Sequence, residues 1–168
     1  KEAYSFYLLA IGLDPDRFLF YPAPDLSEKV PGFNIECERY REEALVGLLE
    51  NNRFYVCVTT RKSIGKKDIS TNSSSALSSL VIAPGNTIDR DVIIDLLFSW
   101  GFKKTDTVTE PKDLAWRGDI LDVFPAYFRR PVRVVFNYDK VENVFLFDPL
   151  TQLTVKTIAK LNIKGFAS

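Results

Sequence analysis

Trp116-Arg117-Gly118-Asp119-Ile120-Leu121-Asp122-Val123-Phe124-Pro125 is the stretch whose reading decides the fold. It is rich in β-branched and aromatic residues and stops at a proline, which predicts a strand. Ile120 and Phe124 fall on one face, Leu121 and Val123 on the other. Apolar residues on both faces suit an inner strand better than an exposed edge. Gly118 within the run predicts a bulge, which would aim Arg117 off the regular pleat.

Working outward, Val132, Val134, Phe136 and Tyr138 alternate with Arg133, Val135 and Asn137, the period of a half-buried strand. Asp139-Lys140 is read as the turn, and Val141, Asn143, Phe145 and Phe147 as the returning face. Asp148-Pro149 turns again, and residues 151–155 would add an edge. Upstream, residues 80–83 read as a strand, followed by a Pro84-Gly85-Asn86 turn. Asp89 is a good N-cap, and Ile88 with Ile93 forms a hydrophobic staple for a helix carrying Ile93, Leu96, Leu97 and Trp100. That helix stops at Gly101, residues 105–109 read as a strand, and Glu110-Pro111-Lys112-Asp113 as a turn. An antiparallel meander with one amphipathic helix packed on it is an α+β module.

The beginning of the chain has a different grammar. Tyr4, Tyr7, Leu8 and Ile11 stand at helical spacing before Gly12. Phe18-Leu19-Phe20-Tyr21 is a continuous apolar strand, and residues 22–33, with three prolines, are read as a loop. Asn34 would cap a helix over residues 35–51 with the stripe Cys37, Tyr40, Ala44 and Leu48, widened by Leu45 and Leu49. Residues 54–58 form a second unbroken apolar strand. Strand, helix and strand of this kind predict a parallel βαβ unit. Residues 60–78 contain Arg61-Lys62-Ser63, Lys66-Lys67 and a serine-rich run, and read as a linker or loop. The fold class is therefore α/β plus α+β: a partial parallel βαβ domain over 1–62, a linker over 63–78, and an antiparallel sheet module over 79–168. Residues 77–158 are expected to fold independently.

Composition narrows the chemistry. Lys+Arg and Asp+Glu both number 22, so no global surplus of positive charge argues for nucleic acid. Histidine is absent, which removes Ser-His and Cys-His catalysis and the commonest zinc ligand. Cys37 and Cys57 are not spaced as a metal motif and are read as buried thiols in a reducing cytoplasm. No apolar run approaches the roughly 20 residues that span a bilayer, so the expected location is cytoplasmic, without a membrane. The chain starts at Lys1 and lacks Met, the expectation being a piece of a longer protein.

Ile64-Gly65-Lys66-Lys67 falls short of a phosphate loop, because Thr60 and Lys67 stand where a Gly and a Ser or Thr are needed. Asp119, Asp122 and Asp148 are read as solvated strand ends and turn caps. No catalytic constellation emerges, and no cofactor or metal is expected. The basic residues are more suggestive. Lys103 and Lys104 follow the helix stop, and Arg117 sits beside Trp116, so Arg117, Lys104, Lys103 and Trp116 are the candidate partner-binding residues. The alternative is a DNA grip through Arg61, Lys62, Lys66 and Lys67, recognisable by its steep salt dependence.

Ala115 to Pro125, then Val132-Arg133-Val134-Val135-Phe136, then Leu146-Phe147-Asp148-Pro149-Leu150-Thr151-Gln152, resemble the N-terminal region of the bacterial transcription-repair coupling factors (Mfd), which share a homology module with the excision-repair helicase UvrB. Gly101-Phe102-Lys103-Lys104-Thr105-Asp106 is similar to the family's Gly-Tyr-x-x-x-Asp, and the helix from Glu38-Arg39-Tyr40 to its Glu-Arg-Leu helix. The resemblance implies a non-catalytic protein-interaction region that recruits UvrA to damage at stalled transcription. RNA polymerase, DNA and ATP-driven translocation would belong to parts of the parent outside this chain. The rival reading is a DNA-contacting fragment of a translocase or helicase such as UvrB. In UvrB the contact with UvrA uses an Arg after the helix and two Arg flanking one strand residue; these positions correspond to Lys104, Ala115 and Arg117 here. Lys in place of Arg forfeits bidentate geometry. The Ser/Lys-rich run after residue 58 and the Thr151-Gln152 pair resemble the coupling factor, where UvrB has a Tyr-Gly-Leu-Gly passage and Thr-Gly.

Overall fold

A computed structural model describes residues 2–14, 17–23, 33–49, 55–64 and 77–166. The chain divides into two units, Lys1–Ser74 and Ser75–Ser168.

In the first unit, α1 (Glu2–Leu13), β1 (Phe18–Tyr21), α2 (Phe33–Leu49), β2 (Val56–Thr59) and the short α3 (Arg61–Ile64) follow in order. β1 and β2 pair in parallel, Phe18 opposite Val56 through Tyr21 opposite Thr59, as the two apolar runs predict. Tyr7 and Phe20 stack at 5.2 Å between ring centroids, and Tyr40 meets both edge-on, so α1 and α2 meet β1 through aromatic contacts. A Cβ on Gly47 would lie 2.9 Å from Leu19 Cδ1, so the glycine lets α2 approach β1 closely.

Several expectations for this unit change. α1 runs through Gly12 to Leu13, and its buried residues are Tyr7 and Ala10, whereas Leu8 is exposed. α2 already includes Phe33 and Asn34, and it buries Val46 while leaving Leu48 exposed. Arg61–Ile64 form a helical turn where a loop was expected, closed by the Ser63 amide donating to Thr60 O at 2.9 Å. Cys37 is buried as expected, but Cys57 is only half-buried; burial pushes its thiol up from the ordinary value, which lowers its nucleophilicity. Residues 24–32, 51–54 and 65–76 lie outside the described residues, and with them most of the expected proline loop, Phe54, Lys66 and Lys67.

The second unit contains β3 (Leu77–Ile82), α4 (Arg90–Ser99), β4 (Lys103–Lys104), β5 (Asp113–Arg117), β6 (Ile120–Val123), β7 (Val132–Asn137), β8 (Lys140–Phe147), β9 (Thr154–Thr157) and β10 (Leu161–Phe166). β4 to β9 form a six-stranded sheet in sequence order, antiparallel except for the parallel β4–β5 pair. Asp89 caps α4 as predicted, its side chain accepting the Asp91 amide at 2.8 Å. Ile93, Ile94, Leu97 and Trp100 of α4 pack against Leu121, Val123, Val132, Val134 and Val144 of the sheet, together with Ile82, Leu161 and Ile163. Among the described residues, no helix is long and apolar enough to cross a membrane.

The decisive stretch is not one bulged strand. It is a hairpin: Arg117 pairs with Ile120, leaving Gly118 and Asp119 as a two-residue turn, with Gly118 at φ +54°. A glycine with positive φ at the first turn position matches the right-handed twist of the flanking strands. The expected inner position survives for β6, which lies between β5 and β7. The next turn is Tyr138-Asp139, one residue earlier than read, with Tyr138 at φ +55°. In β8 the expected alternation is broken. Val135 faces Asn143 and Phe136 faces Val141, so Glu142 is extra and the buried set is Val141, Val144 and Phe147. Residues 105–109 form a loop, the only strand between α4 and β5 being Lys103–Lys104.

β10 was not anticipated. It pairs antiparallel with β3 along six residues, Leu161 opposite Ile82 through Phe166 opposite Leu77, and buries Leu161 and Ile163 completely. The span expected to fold independently, ending at residue 158, therefore leaves out a strand of this unit's core. A Cβ on the buried Gly165 would overlap the indole of Trp100 at Cδ2, Cγ and Cε3. Gly165→Ala is expected to cost about 2 kcal/mol, the usual size of an overpacking change. A denaturant titration of the variant checks this, and an unmoved midpoint would show that the indole yields freely.

Candidate protein-docking site

The six-stranded sheet has two unlike faces because its side chains alternate. Leu114 and Trp116 of β5 and Leu121 and Val123 of β6 face α4 and the main core. Ala115 and Arg117, with Ile120 and Asp122 opposite them, face the other way. A second small core of Val108, Ala115, Phe124 and Phe147 covers part of that second face. Beside it lies a groove of about 310 Å³, lined by Asp106, Ala115, Arg117, Asp122, Arg133 and Gln152 among others.

The floor of the groove is an ion pair. Arg133 donates from Nε to Asp122 Oδ1 at 2.7 Å and from Nη2 to Oδ2 at 2.8 Å, directly across the β6–β7 ladder. Its guanidinium also lies 4.7 Å from the Phe147 ring centroid. The hydrogen bond to Asp122 raises the Arg133 pKa above its ordinary value, against the opposing effect of burial. Asp122, expected at a solvated strand end, is thus a buried acid with a bidentate partner. Its position within an apolar strand opposite an arginine was the available signal.

Arg117 stands exposed at the rim, with Nη2 donating to the backbone carbonyl of Asp106 at 2.5 Å. Behind it, Arg90 of α4 donates to Gly118 O and fastens the hairpin turn. Gln152, which also lines the groove and has φ +61°, donates through Nε2 to Val108 O at 3.1 Å and to Pro149 O at 2.7 Å. The turn that carries Gln152 is organised by Asp148, whose Oδ1 accepts from the amides of Thr151 at 2.9 Å and Leu150 at 3.1 Å. These bonds, that of Thr151 foremost, hold the Asp148 carboxyl below its ordinary value, with Arg130 adding to the effect. Asp148 is therefore a turn cap, as expected. Asp106, Arg133 and Gln152 line the groove without being among the site residues the sequence suggests.

The four candidate residues from the sequence do not form one cluster. Lys104 pairs with Leu114 and sets its Nζ 4.3 Å from the Trp116 ring centroid, while Phe98 of α4 meets the same indole edge-on at 6.0 Å. Lys104 and Trp116 therefore belong to the α4 side. Lys103 pairs with Asp113, two residues before Ala115, and so falls on the face of Arg117. Lys103, Lys104 and Arg117 are all exposed, and Trp116 is partly buried. Of the alternative cations, Arg61 is exposed on α3, the Lys62 side chain is outside the described residues, and so are Lys66 and Lys67.

Comparison with known proteins bears on this unit directly. The family described as "UvrB interaction domain" matches residues 80–166. The chain is 31% identical over 120 residues, 71% of its length, to the transcription-repair-coupling factor of Myxococcus xanthus. It is 29% identical over 133 residues, 79% of its length, to UvrABC system protein B of Thermus thermophilus. A shorter stretch of 68 residues is 40% identical to the transcription-repair-coupling factor of Borreliella burgdorferi. The chain spans only 10% of the first of these relatives and 20% of the second.

Proposed function

The chain belongs to the UvrB interaction domain family, and from that premise we propose that its second unit is a non-catalytic docking module that binds UvrA in nucleotide excision repair. The parent is a transcription-repair coupling factor, which brings UvrA to damage where transcription has stalled. ATP-driven translocation, and contact with RNA polymerase and DNA, belong to other parts of that parent. The Ser/Lys-rich run after β2 and the Gln at position 152 support the coupling factor over UvrB.

The observation that carries this reading is the placement of Arg117. It ends β5 on the open rim of the groove, on the same face as Lys103, with its guanidinium exposed. An exposed arginine next to a partly apolar groove, on a face that also carries Lys103 farther along the sheet, suits an acidic patch on a protein partner. Ala115 stands where UvrB carries an Arg, so Arg117 bears more of the contact alone.

Arg117→Glu replaces attraction by like-charge repulsion at the centre of the contact. The loss is expected to be about 2 kcal/mol or more, roughly thirtyfold in affinity. Stability should change by no more than about 1 kcal/mol, the usual worth of the hydrogen bond to Asp106. Calorimetric titration with UvrA beside a thermal melt separates the two effects. Unchanged binding with an unchanged melt removes Arg117 from the site.

A further inference from the structure

We infer that Gln152 is a positioning residue for Arg117, acting through the loop of residues 105–112 between β4 and β5. The binding consequence rests on the docking role proposed above; the positioning itself does not. Arg117 is a long, exposed side chain, and such chains lose substantial rotamer entropy when fixed. Its anchor is the carbonyl of Asp106, so the guanidinium is only as well placed as that peptide. The Asp106 peptide lies in a loop held at its start by the Thr105 amide donating to Leu114 O at 2.9 Å. At its far end, the Asp113 carboxylate accepts the Thr109 and Glu110 amides. Between these points the Val108 side chain is fully buried, and the Val108 carbonyl accepts from Gln152.

Gln152 spends both hydrogens of one amide nitrogen on two different backbones, Val108 O and Pro149 O. It thereby ties the turn after β8 to the loop that carries the Arg117 anchor. The backbone at Gln152 is left-handed, φ +61°, where glycine is the residue of least strain. A side chain at such a position is explained here by the bridge it makes, and Gly would keep the turn while losing the bridge.

The test uses the whole 168-residue chain. Gln152→Gly removes the bridge at a φ that glycine accepts; Gln152→Glu keeps the size but presents an acceptor to two carbonyls. In the free chain, NMR of the Arg117 Nε–H should show a restrained signal that both substitutions broaden or average, with the melting temperature little moved. An unchanged Arg117 signal in both variants overturns the inference, whatever happens with UvrA. By calorimetry, Gln152→Gly should weaken UvrA binding about fivefold, the ordering cost of one long side chain. In an Arg117→Ala background it should do nothing further, since the group it positions is gone. Equal weakening in both backgrounds makes Gln152 a direct or merely structural contributor and overturns the inference. If Arg117→Ala alone leaves UvrA binding intact, the docking reading fails, and the NMR result alone decides the positioning.

Discussion

A chain ending after Ile158 is expected to have no folded second unit. Ending there removes β10, and with it Leu161 and Ile163, both fully buried among Ile82 and the α4 side chains. Burying two such side chains is worth about 2 kcal/mol each, and the ladder to β3 is lost as well. Exposing Ile82 and the indole of Trp100 adds to the loss. Domains of this size hold a total of roughly 5–15 kcal/mol, so little or nothing remains. Both tryptophans of the chain, Trp100 and Trp116, lie in this unit, so the long-wavelength tryptophan band of the near-ultraviolet circular dichroism, beyond tyrosine absorption, reports on it selectively. The 168-residue chain should show a cooperative loss of that signal on heating, and the shortened chain no native signal to lose. A cooperative transition in the shortened chain would mean that β3 and β10 decorate a sheet stable without them.

Asp122→Ala should be the most damaging single substitution at the groove. It leaves the Arg133 guanidinium on the sheet, half-buried, with both of its carboxylate bonds gone. Removing one member of a buried pair typically costs about 3–5 kcal/mol, because the surviving charge has lost its compensation. A unit of this length loses about 4–8 °C of melting temperature per kcal/mol, so a drop of about 12 °C or more is expected. Replacing both partners by apolar residues, Asp122→Leu with Arg133→Met, should recover most of the loss, since no charge is then stranded. Melts of the singles and the double form a cycle with a large coupling. Additive effects would show that solvent reaches Arg133 freely and that the pair contributes little.

Much of the second unit was legible locally. Asp89 before an apolar stripe announces a helix start, and the Val132 to Phe136 alternation announces a half-buried strand. Both follow from short-range rules of capping and pleating. The hairpin is legible too: Gly118-Asp119 between apolar runs is a turn signal, competing with the bulge that a lone glycine in a strand suggests. The inward set also changes phase there, from Leu114 and Trp116 to Leu121 and Val123, which no continuous strand allows. The alternating Leu161-Asn162-Ile163-Lys164 marks a strand on its own terms.

By itself, then, the sequence determined the division into apolar βαβ grammar and antiparallel grammar, the Asp89 cap of α4, and the resemblance that leads to UvrA. Only the tertiary structure decided that β10 closes on β3, that Asp122 finds Arg133, and that Gln152 reaches Val108. Each of these joins residues from separate elements, and no local period encodes which strand becomes whose neighbour. It also decided how the candidate residues are distributed over the sheet. Lys103 and Lys104 are adjacent in sequence, as are Trp116 and Arg117, and adjacent strand residues point to opposite faces. The pairing of β4 with β5 put Lys104 over Trp116 on the helix side and left Lys103 and Arg117 on the side of the groove.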